Sequence, residues 1–314
     1  MGNERDLSRF FYEVRKMATE IKVYRINETE IWQGKLHKVN GENVEKAVRF
    51  ILRPLNPADA EAMGKLSENI YRHLRKGEEC FIHKHSGEYF YNVFDNPHLR
   101  YTGIFVGNTL IGMSYLKICE NFQELQEELP NAEYDFFRAE RNGGKSRVAS
   151  FGADSVLPKY RGNALNSVMV NYRLKLAEQM GCTDCTSIVD RKNKWNMAPY
   201  FSGRFNLFAT AVDPSDGGKI SLLHRPLGKE TVLSCFKPRI MLPFDRFELI
   251  DGLIGRGFVG IDFNRETGGV LFAHSSYYTN KGRTIDGIQL LQQRKMVGMS
   301  LSVSYTHLTL PTIA

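Results

Sequence analysis

The stretch VLPKYRGNALNSVMV, residues 156–170, joins an apolar strand to an amphipathic helix through a basic turn. The first turn of a helix leaves backbone N–H groups unpaired, and these groups together with the helix dipole bind phosphate oxygens. Arg161 adds a charge-assisted contact, and the small residues Gly162 and Ala164 allow a diphosphate to approach the backbone. The pattern predicts an anion site, and the alternative is an ordinary strand-to-helix connection.

Two further segments accompany this turn. FILRPLNPADAEAM, residues 50–63, reads as a strand, a Pro-Asn-Pro turn and the start of a helix, and NKWNMAPYFSGRF, residues 193–205, reads as a short helix before a strand. In this order the three segments resemble the GCN5-related N-acetyltransferase superfamily over roughly residues 46–227. That family binds the diphosphate of acetyl-CoA with a V-x-P-x-Y-R-G-x-G-x-G/A segment.

The match is incomplete at defined positions. Ala164 and Asn166 stand where the family pattern has Gly and Gly/Ala, and Asn166 brings a side chain close to the expected path of the pantetheine phosphate. In the downstream segment Asn193 and Tyr200 are in register, whereas Arg204 occupies the usual Gly position.

The resemblance implies a mixed α/β fold whose central sheet splays open and is flanked by helices. Acetyl-CoA is expected where two parallel central strands separate: the strand ending at Val156 pairs with the pantetheine arm, the turn holds the diphosphate, and Asn193 contacts the arm from the other side. The residues expected to bind acetyl-CoA are Val156, Arg161, Gly162, Asn163, Ala164, Leu165, Asn166, Ser167 and Asn193.

The same resemblance implies that an amine attacks the thioester directly, without a covalent enzyme intermediate. The amine must lose a proton, and a carboxylate on the central strand commonly accepts it, directly or through water. Asp154 is the acidic residue on that strand and is predicted as the base; its alternative role is an ion pair with a nearby Arg or a bond to a turn amide. Tyr200 aligns with the family's tyrosine acid, and its alternative role is packing on a short helix.

Periodic patterns place these residues on strands and helices. A stripe at helical spacing predicts the helix after the basic turn, with Gly181 as its stop. Strands are predicted around residues 48–53, before and after a Gly-Asn turn within 101–118, and at 147–157. The stripe consists of Leu165, Val168, Met169, Tyr172, Leu176 and Met180.

The 314 residues divide into four predicted parts. Residues 1–45 form an N-terminal extension, with a helix over 4–20 and then a hairpin, and residues 46–230 form the acyltransferase domain. Residues 231–301 form a small α+β segment that we expect to be cut short. Residues 302–314 are expected to be a non-native tail, because SYTHLTLPT matches the translation of a sequencing adapter.

Several other motifs lack the structural context that their usual function requires. The GxGxxG motif at 255–260 lies between a predicted helix and a strand, the reverse of the order that dinucleotide binding needs. The CxxC motif at 182–185 lacks a second pair, and His-Lys-His at 83–85, expected on a strand face, lacks acidic or thiol partners, so we predict no metal site. The aromatic run GEYFYNVF, residues 87–94, either lines the acceptor cleft or fills the core.

Charge and hydropathy limit the classes of binding partner that the sequence predicts. The net charge of +7 favours anionic ligands, yet no run of five or six basic residues and no basic face with stacking aromatics predicts nucleic-acid binding. No apolar run approaches the ~20 residues that cross a bilayer, and the charged N-terminus lacks a signal core. We therefore expect a cytoplasmic protein without a membrane partner.

These patterns together predict a CoA-dependent N-acyltransferase, most simply one that transfers acetyl from acetyl-CoA to a small-molecule or peptide amine. Two alternatives stay open. One is an N-acyl amino acid synthase that takes a long acyl chain from an acyl carrier protein or acyl-CoA, for which an apolar tunnel would replace a closed floor. The other is a non-catalytic module that binds CoA or a protein.

Overall fold

The computed structural model describes residues 21–26, 29–74, 76, 78, 84–129, 147–193, 196–213, 217–228, 239–275 and 278. The helix predicted over 4–20, the glycine-rich loop before residue 147, the last predicted helix and the tail from residue 302 lie outside the described residues.

Twelve strands form one mixed sheet. Their bounds are β1 (Lys22–Ile26), β2 (Thr29–Val39), β3 (Glu42–Pro54), β4 (Leu99–Val106), β5 (Thr109–Cys119), β6 (Val148–Val156), β7 (Asp184–Asp190), β8 (Asn206–Val212), β9 (Lys219–Pro226), β10 (Ile240–Pro243), β11 (Phe258–Asn264) and β12 (Gly269–His274). The order across the sheet is β1-β2-β3-β4-β5-β6-β7-β9-β8-β11-β12-β10. Each neighbouring pair is antiparallel except β6 and β7, which run parallel.

Six helices accompany these strands in the described part of the chain. They are α1 (Ala60–Arg72), α2 (Gly87–Val93), α3 (Phe122–Glu128), α4 (Leu165–Gln179), α5 (Met197–Ser202) and α6 (Phe247–Gly255). A short 3₁₀ turn, Pro158–Tyr160, connects β6 to the segment that starts α4. None of the described helices has the length and apolar character needed to cross a bilayer.

The parallel pair β6 and β7 is joined at one end only. Pairing stops at Phe151 opposite Ser187, whereas β6 continues to Val156 and β7 to Asp190. A bulge interrupts β6 just past this point, where Ala153 has a φ of 53°. The two described strands therefore separate and leave a notch in the sheet.

Helix α4 lies between two parts of the core. Met169 and Tyr172 pack in the cluster that includes β2 and β3, and Val170 and Leu174 pack in the larger cluster formed with β7, β8 and α5. Burial on both sides explains why α4 has buried positions outside the predicted stripe. The helix ends before Gly181, whose φ of 72° suits the predicted glycine stop.

The predicted N-terminal hairpin is confirmed as β1 and β2, and it is continuous with the main sheet because β2 also pairs with β3. Side chains of α4 fasten β2 from the other side. The Tyr172 hydroxyl donates to the Glu30 carbonyl oxygen at 2.9 Å, and Lys175 forms an ion pair with the Glu30 carboxylate at 2.7 Å.

The predicted fold class, a mixed α/β fold with a splayed central sheet flanked by helices, is confirmed. The helix-then-strand order around the GxGxxG motif is also confirmed, since α6 ends at Gly255 and β11 follows. The strand expected at residues 83–85 is wrong for the two of these residues that the structure describes. Lys84 and His85 are not in a strand and precede Ser86, the N-cap residue of α2. The proposed domain boundaries stay predictions.

Candidate active site

A cleft of about 1320 Å³ lies at the notch between β6 and β7. Its walls come from β2, the end of α1, the second half of β6, the turn before α4 and the segment from β7 to α5. Typical small-ligand sites measure about 300–1,000 Å³, so this cleft has room for a larger ligand. The predicted site residues that line it are Asp154, Val156, Arg161, Gly162, Asn163, Ala164, Leu165, Asn166, Ser167, Asn193 and Tyr200.

The turn before α4 has the backbone of an anion-binding loop. Gly162 has a φ of 81° and Ala164 a φ of 53°, both in the left-handed region, where a non-glycine residue costs roughly 1–2 kcal/mol. The first backbone bond of the helix is donated by the Val168 N–H to the Ala164 carbonyl oxygen at 3.2 Å. Throughout the described chain, no group accepts a hydrogen bond from the backbone N–H groups of residues 162–167. These amides are available to a ligand.

The Asn163 side chain has a structural contact of its own. Its Oδ1 accepts bonds from the N–H groups of His37 and Lys38 at 2.9 and 3.0 Å, and its Nδ2 donates to the carbonyl oxygens of Lys38 and Tyr160 at 2.8 and 3.0 Å. All four hydrogen-bonding positions of the amide are used. The Asn163 side chain therefore fastens the turn to β2, and only the backbone N–H of this residue is available to a ligand.

Two polar side chains in the first turn of α4 are incompletely paired. Asn166 Nδ2 lies 3.3 Å from Asn196 Oδ1 at the start of α5, but Asn166 Oδ1 is buried and no described group donates to it. The Ser167 Oγ is likewise buried without a partner among the described residues. Orphaned buried oxygens are costly and rare, so both point to a ligand that donates to the amide and accepts from the hydroxyl.

Arg161 bends back over the end of β6. Its Nε donates to the Val156 carbonyl oxygen at 3.2 Å. A carbonyl oxygen has two lone pairs, so the Val156 carbonyl keeps one acceptor position for the N–H group of a ligand. Leu165 contributes its backbone N–H alone, because its side chain is buried in the core beside β2 and β3.

Asp154 and Tyr200 meet at the floor of the cleft. The Tyr200 hydroxyl donates to Asp154 Oδ2 at 2.5 Å, and Asp154 Oδ1 forms an ion pair with Arg173. The Asp154 and Arg173 side chains are 1% and 0% exposed. Arg173 also donates to the carbonyl oxygens of Tyr115 and Gly152 at 2.9 and 3.3 Å. The structure thus contains the Asp–Arg pair that was the alternative interpretation of Asp154, and it also joins Asp154 to Tyr200.

Burial shifts the pKa values of Asp154 and Tyr200. Loss of solvent raises the pKa of the Asp154 carboxyl, although Arg173 and Tyr200 oppose the shift. Loss of solvent, together with the neighbouring Asp154 charge, raises the pKa of Tyr200 above its ordinary value. The phenol therefore stays neutral, and the carboxylate is a stronger proton acceptor than an exposed Asp.

The structure adds residues that sequence reasoning missed. Arg173 carried a signal, because a charged residue four positions after Met169 lies on an otherwise apolar helix face. His73, at the end of α1, lines the cleft with its Nδ1 2.7 Å from the Asn69 carbonyl oxygen, and Nδ1 is the donor because a carbonyl can only accept. Arg265, from the turn between β11 and β12, also lines the cleft.

The β2 side of the cleft is basic. Lys35, His37 and Lys38 all line it, and no carboxylate of β2 does. Asn193, predicted to contact the cofactor arm, lies on the opposite side after β7, where its backbone N–H donates to the Asp190 carbonyl oxygen at 2.9 Å. Within the described residues no group of three His, Cys, Asp or Glu side chains is placed to hold a metal ion.

Comparison with known proteins gives similarity at the level of structure. No family model matches this chain, and no curated protein matches it. NAA60 of Arabidopsis thaliana in complex with acetyl-CoA is 17% identical to it, with 57% of this chain and 99% of that chain covered and a TM-score of 0.44.

One bacterial and one archaeal structure are similar to this chain to a comparable extent. The putative acetyltransferase yncA of Salmonella typhimurium with acetyl-CoA is 10% identical, covering 60% of this chain and 99% of that chain with a TM-score of 0.42. The paia N-acetyltransferase of Thermoplasma acidophilum with coenzyme A is 20% identical, covering 56% of this chain and 98% of that chain with a TM-score of 0.39.

Proposed function

We propose that this protein is a CoA-dependent N-acyltransferase that transfers an acyl group, most simply acetyl, from acyl-CoA to an amine in a ternary complex. The observation that carries the proposal is the alignment of three features in one cleft. Unpaired amides at residues 162–167 lie at one end, the notch between β6 and β7 lies beside them, and the Asp154–Tyr200 pair lies at the floor.

The fit to acyl-CoA follows from the donors present. Free N–H groups at the start of α4 supply the dipoles that a diphosphate needs, and the first turn contains no acidic residue to repel it. The buried Asn166 Oδ1 suits a donor such as a pantetheine amide, and the Ser167 hydroxyl suits a phosphate oxygen. The part of β6 that does not pair with β7 follows the turn toward Tyr200, so a pantetheine arm along this edge would bring the thioester to the floor.

The proton transfers use Tyr200 and Asp154 together. In this structure the Tyr200 hydroxyl donates to Asp154, which leaves its oxygen lone pairs to accept a proton from the attacking nitrogen. As Tyr200 accepts that proton it passes its own to Asp154, so the positive charge lost by nitrogen neutralises the carboxylate. The reverse movement returns the proton through Tyr200 to the departing thiolate, and the carboxylate is restored. Arg173 positions Asp154 and favours its ionised form before each cycle.

Binding and chemistry are tested separately. Isothermal titration with acetyl-CoA is expected to show one site, and Asn166→Asp is expected to weaken binding by at least about tenfold, because it places a carboxylate of the same shape beside the diphosphate. Asn171→Asp is the matched control, since Asn171 is exposed on the same helix and does not line the cleft. Absence of binding to any acyl-CoA by the wild-type protein contradicts the proposal.

The chemical step is followed by thiol release from acetyl-CoA with a panel of amines. Tyr200→Phe is expected to lower kcat by about 10²–10⁴-fold with little change in the dissociation constant of acetyl-CoA, because the phenol acts on the reacting atoms. An unchanged kcat in a folded Tyr200→Phe protein contradicts the role given to Tyr200.

The pH dependence of the same assay tests Asp154. Because its pKa is raised above the ordinary 3.8, activity is expected to fall as the pH drops through that raised value. The acceptor amine also protonates at low pH, so the assay compares acceptors of different basicity. A fall in activity whose midpoint pH changes with the acceptor reflects protonation of the amine. A fall whose midpoint is the same for every acceptor reflects protonation of the enzyme. A profile in which no such acceptor-independent fall lies above the ordinary Asp range contradicts Asp154 as the proton acceptor.

A further inference from the structure

Strand β2 contributes a row of basic side chains to the cleft. Lys35, His37 and Lys38, hereafter the β2 basic wall, all line it beside the turn that starts α4. Lys35 and His37 are exposed and lie two residues apart on β2. The pairing of β2 with β3 is irregular between Leu36 and Lys38, and Lys38 lines the cleft as well.

The position of this wall is fixed relative to the turn. Asn163 bonds the backbone at His37 and Lys38, and the Asn40 N–H donates to the Lys159 carbonyl oxygen at 2.7 Å. The aliphatic part of the Lys38 side chain lies close to Gly162, since a Cβ at Gly162 would be 3.6 Å from the Lys38 Cδ. The Lys38 side chain therefore passes beside the turn that contains the free amides.

The ammonium groups of Lys35 and Lys38 have no ion-pair partner in the described part of the chain. Lys35 instead faces Arg49 directly across β2 and β3, an arrangement that costs stability because like charges lie opposite each other. A bound anion would relieve this repulsion.

We propose that the β2 basic wall binds the 3′-phosphate on the ribose of CoA. This inference rests on the proposed function, in which the amides of residues 162–167 hold the diphosphate. Those amides provide dipoles, whereas the 3′-phosphate is a separate phosphomonoester of about −1.5 to −2 charge that calls for cations. Lysine ammonium groups are suited to phosphate as point charges, and the wall lies beside the place where the diphosphate binds.

An acidic acyl carrier protein is the other anionic partner that basic residues could attract. The wall favours the phosphate because its three side chains lie inside the concave cleft and span only about 7–10 Å along the strand. That length matches one phosphate and its neighbour, whereas a protein helix needs a longer row of cations on an open face.

The experiment compares CoA with 3′-dephospho-CoA by isothermal titration at low salt. The wild-type protein is expected to bind CoA at least about tenfold more tightly. The double variant Lys35→Gln with Lys38→Gln is expected to lose this preference while its affinity for dephospho-CoA stays within about twofold of wild type. Lys46→Gln is the matched control, because Lys46 is exposed on β3 and does not line the cleft.

Each contrary result has a distinct meaning. Equal binding of CoA and dephospho-CoA by the wild-type protein overturns the inference and leaves the proposed function intact. An equal loss of affinity for both ligands in the double variant also overturns it, because the lysines would then act on the diphosphate or the fold. Binding of a purified acidic holo-carrier protein that is lost in the double variant, with CoA and dephospho-CoA bound equally, assigns the wall to the carrier protein. Failure of the wild-type protein to bind either nucleotide refutes the inference together with the proposed function.

Discussion

The polar groups at the two ends of the cleft differ in whether they are hydrogen-bonded within the protein. At the turn before α4, backbone amides and the oxygens of Asn166 and Ser167 have no partners in the described protein. At the floor, every polar atom of the Asp154 carboxylate, together with the Tyr200 hydroxyl, is already bonded within the protein.

This contrast separates binding from chemistry. Unpaired donors gain most when a ligand arrives, because the ligand removes a cost that the empty fold carries. A fully bonded group gains nothing from binding, but it holds its atoms in one geometry and keeps a shifted pKa. We therefore expect substitutions at the turn to change affinity and substitutions at the floor to change stability and rate.

The largest effect is expected from Arg173→Met, which leaves Asp154 as a buried charge without its cation. Breaking a buried pair in this way costs roughly 3–5 kcal/mol, and the free energy of unfolding in urea measures it. Adding Asp154→Asn to the same protein is expected to recover part of the loss. If the double variant is no more stable than Arg173→Met, the charge of Asp154 is not the cause.

A smaller effect is expected from Asn163→Ala, which removes the bonds between the turn and β2. The cost is about 1–3 kcal/mol, because the N–H groups of His37 and Lys38 lose their acceptor. Affinity for acetyl-CoA is expected to fall as well, since the turn is no longer held in place. Asn171→Ala is the control, expected to change stability by less than ~0.5 kcal/mol. Equal effects of the two variants contradict the fastening role.

Ala164→Gly is expected to stabilise the protein by up to about 1 kcal/mol, with acetyl-CoA affinity retained. Ala164 has a φ of 53°, which glycine adopts without steric strain, and this gain exceeds the added flexibility of the unfolded chain. The control Ala62→Gly, inside α1, is expected to have the opposite sign, a loss of about 1 kcal/mol. Thermal unfolding distinguishes the two, and destabilisation by Ala164→Gly argues against a strained turn.

The smallest effect is expected from Lys175→Met, which breaks an ion pair on the same helix as Arg173. The Lys175 side chain is 43% exposed, so water screens its attraction to Glu30, and the loss is at most about 1 kcal/mol. Urea unfolding beside Arg173→Met measures the difference. A loss as large as that of Arg173→Met means that burial does not distinguish the two ion pairs.

Local patterns predicted much of this molecule. The basic turn, the stripe of α4 and its glycine stop depend on neighbours in the chain, whereas the splayed sheet was expected from the family resemblance. The segments that contain Asp154 and Tyr200 form the predicted strand and short helix, while the catalytic roles of these two residues stay predictions.

What escaped prediction depends on contacts between distant segments. Asn163 looked like a cofactor ligand, but its amide bonds β2 across 125 residues of chain, a contact that no local pattern encodes. Lys35 and Lys38 lie within the predicted hairpin, and only the packing of β2 beside the turn brings them to the cleft. The partner of Asp154 required knowing which face of α4 turns toward β6.

The Asn163 bond to β2 also has a consequence for synthesis of the chain on the ribosome. β2 is made near the beginning of the chain, and Asn163 is made 125 residues after Lys38. Until Asn163 has been added, this side chain cannot join β2 to the turn. The wall of the cleft that both segments form is therefore completed only when an early and a late part of the polypeptide meet.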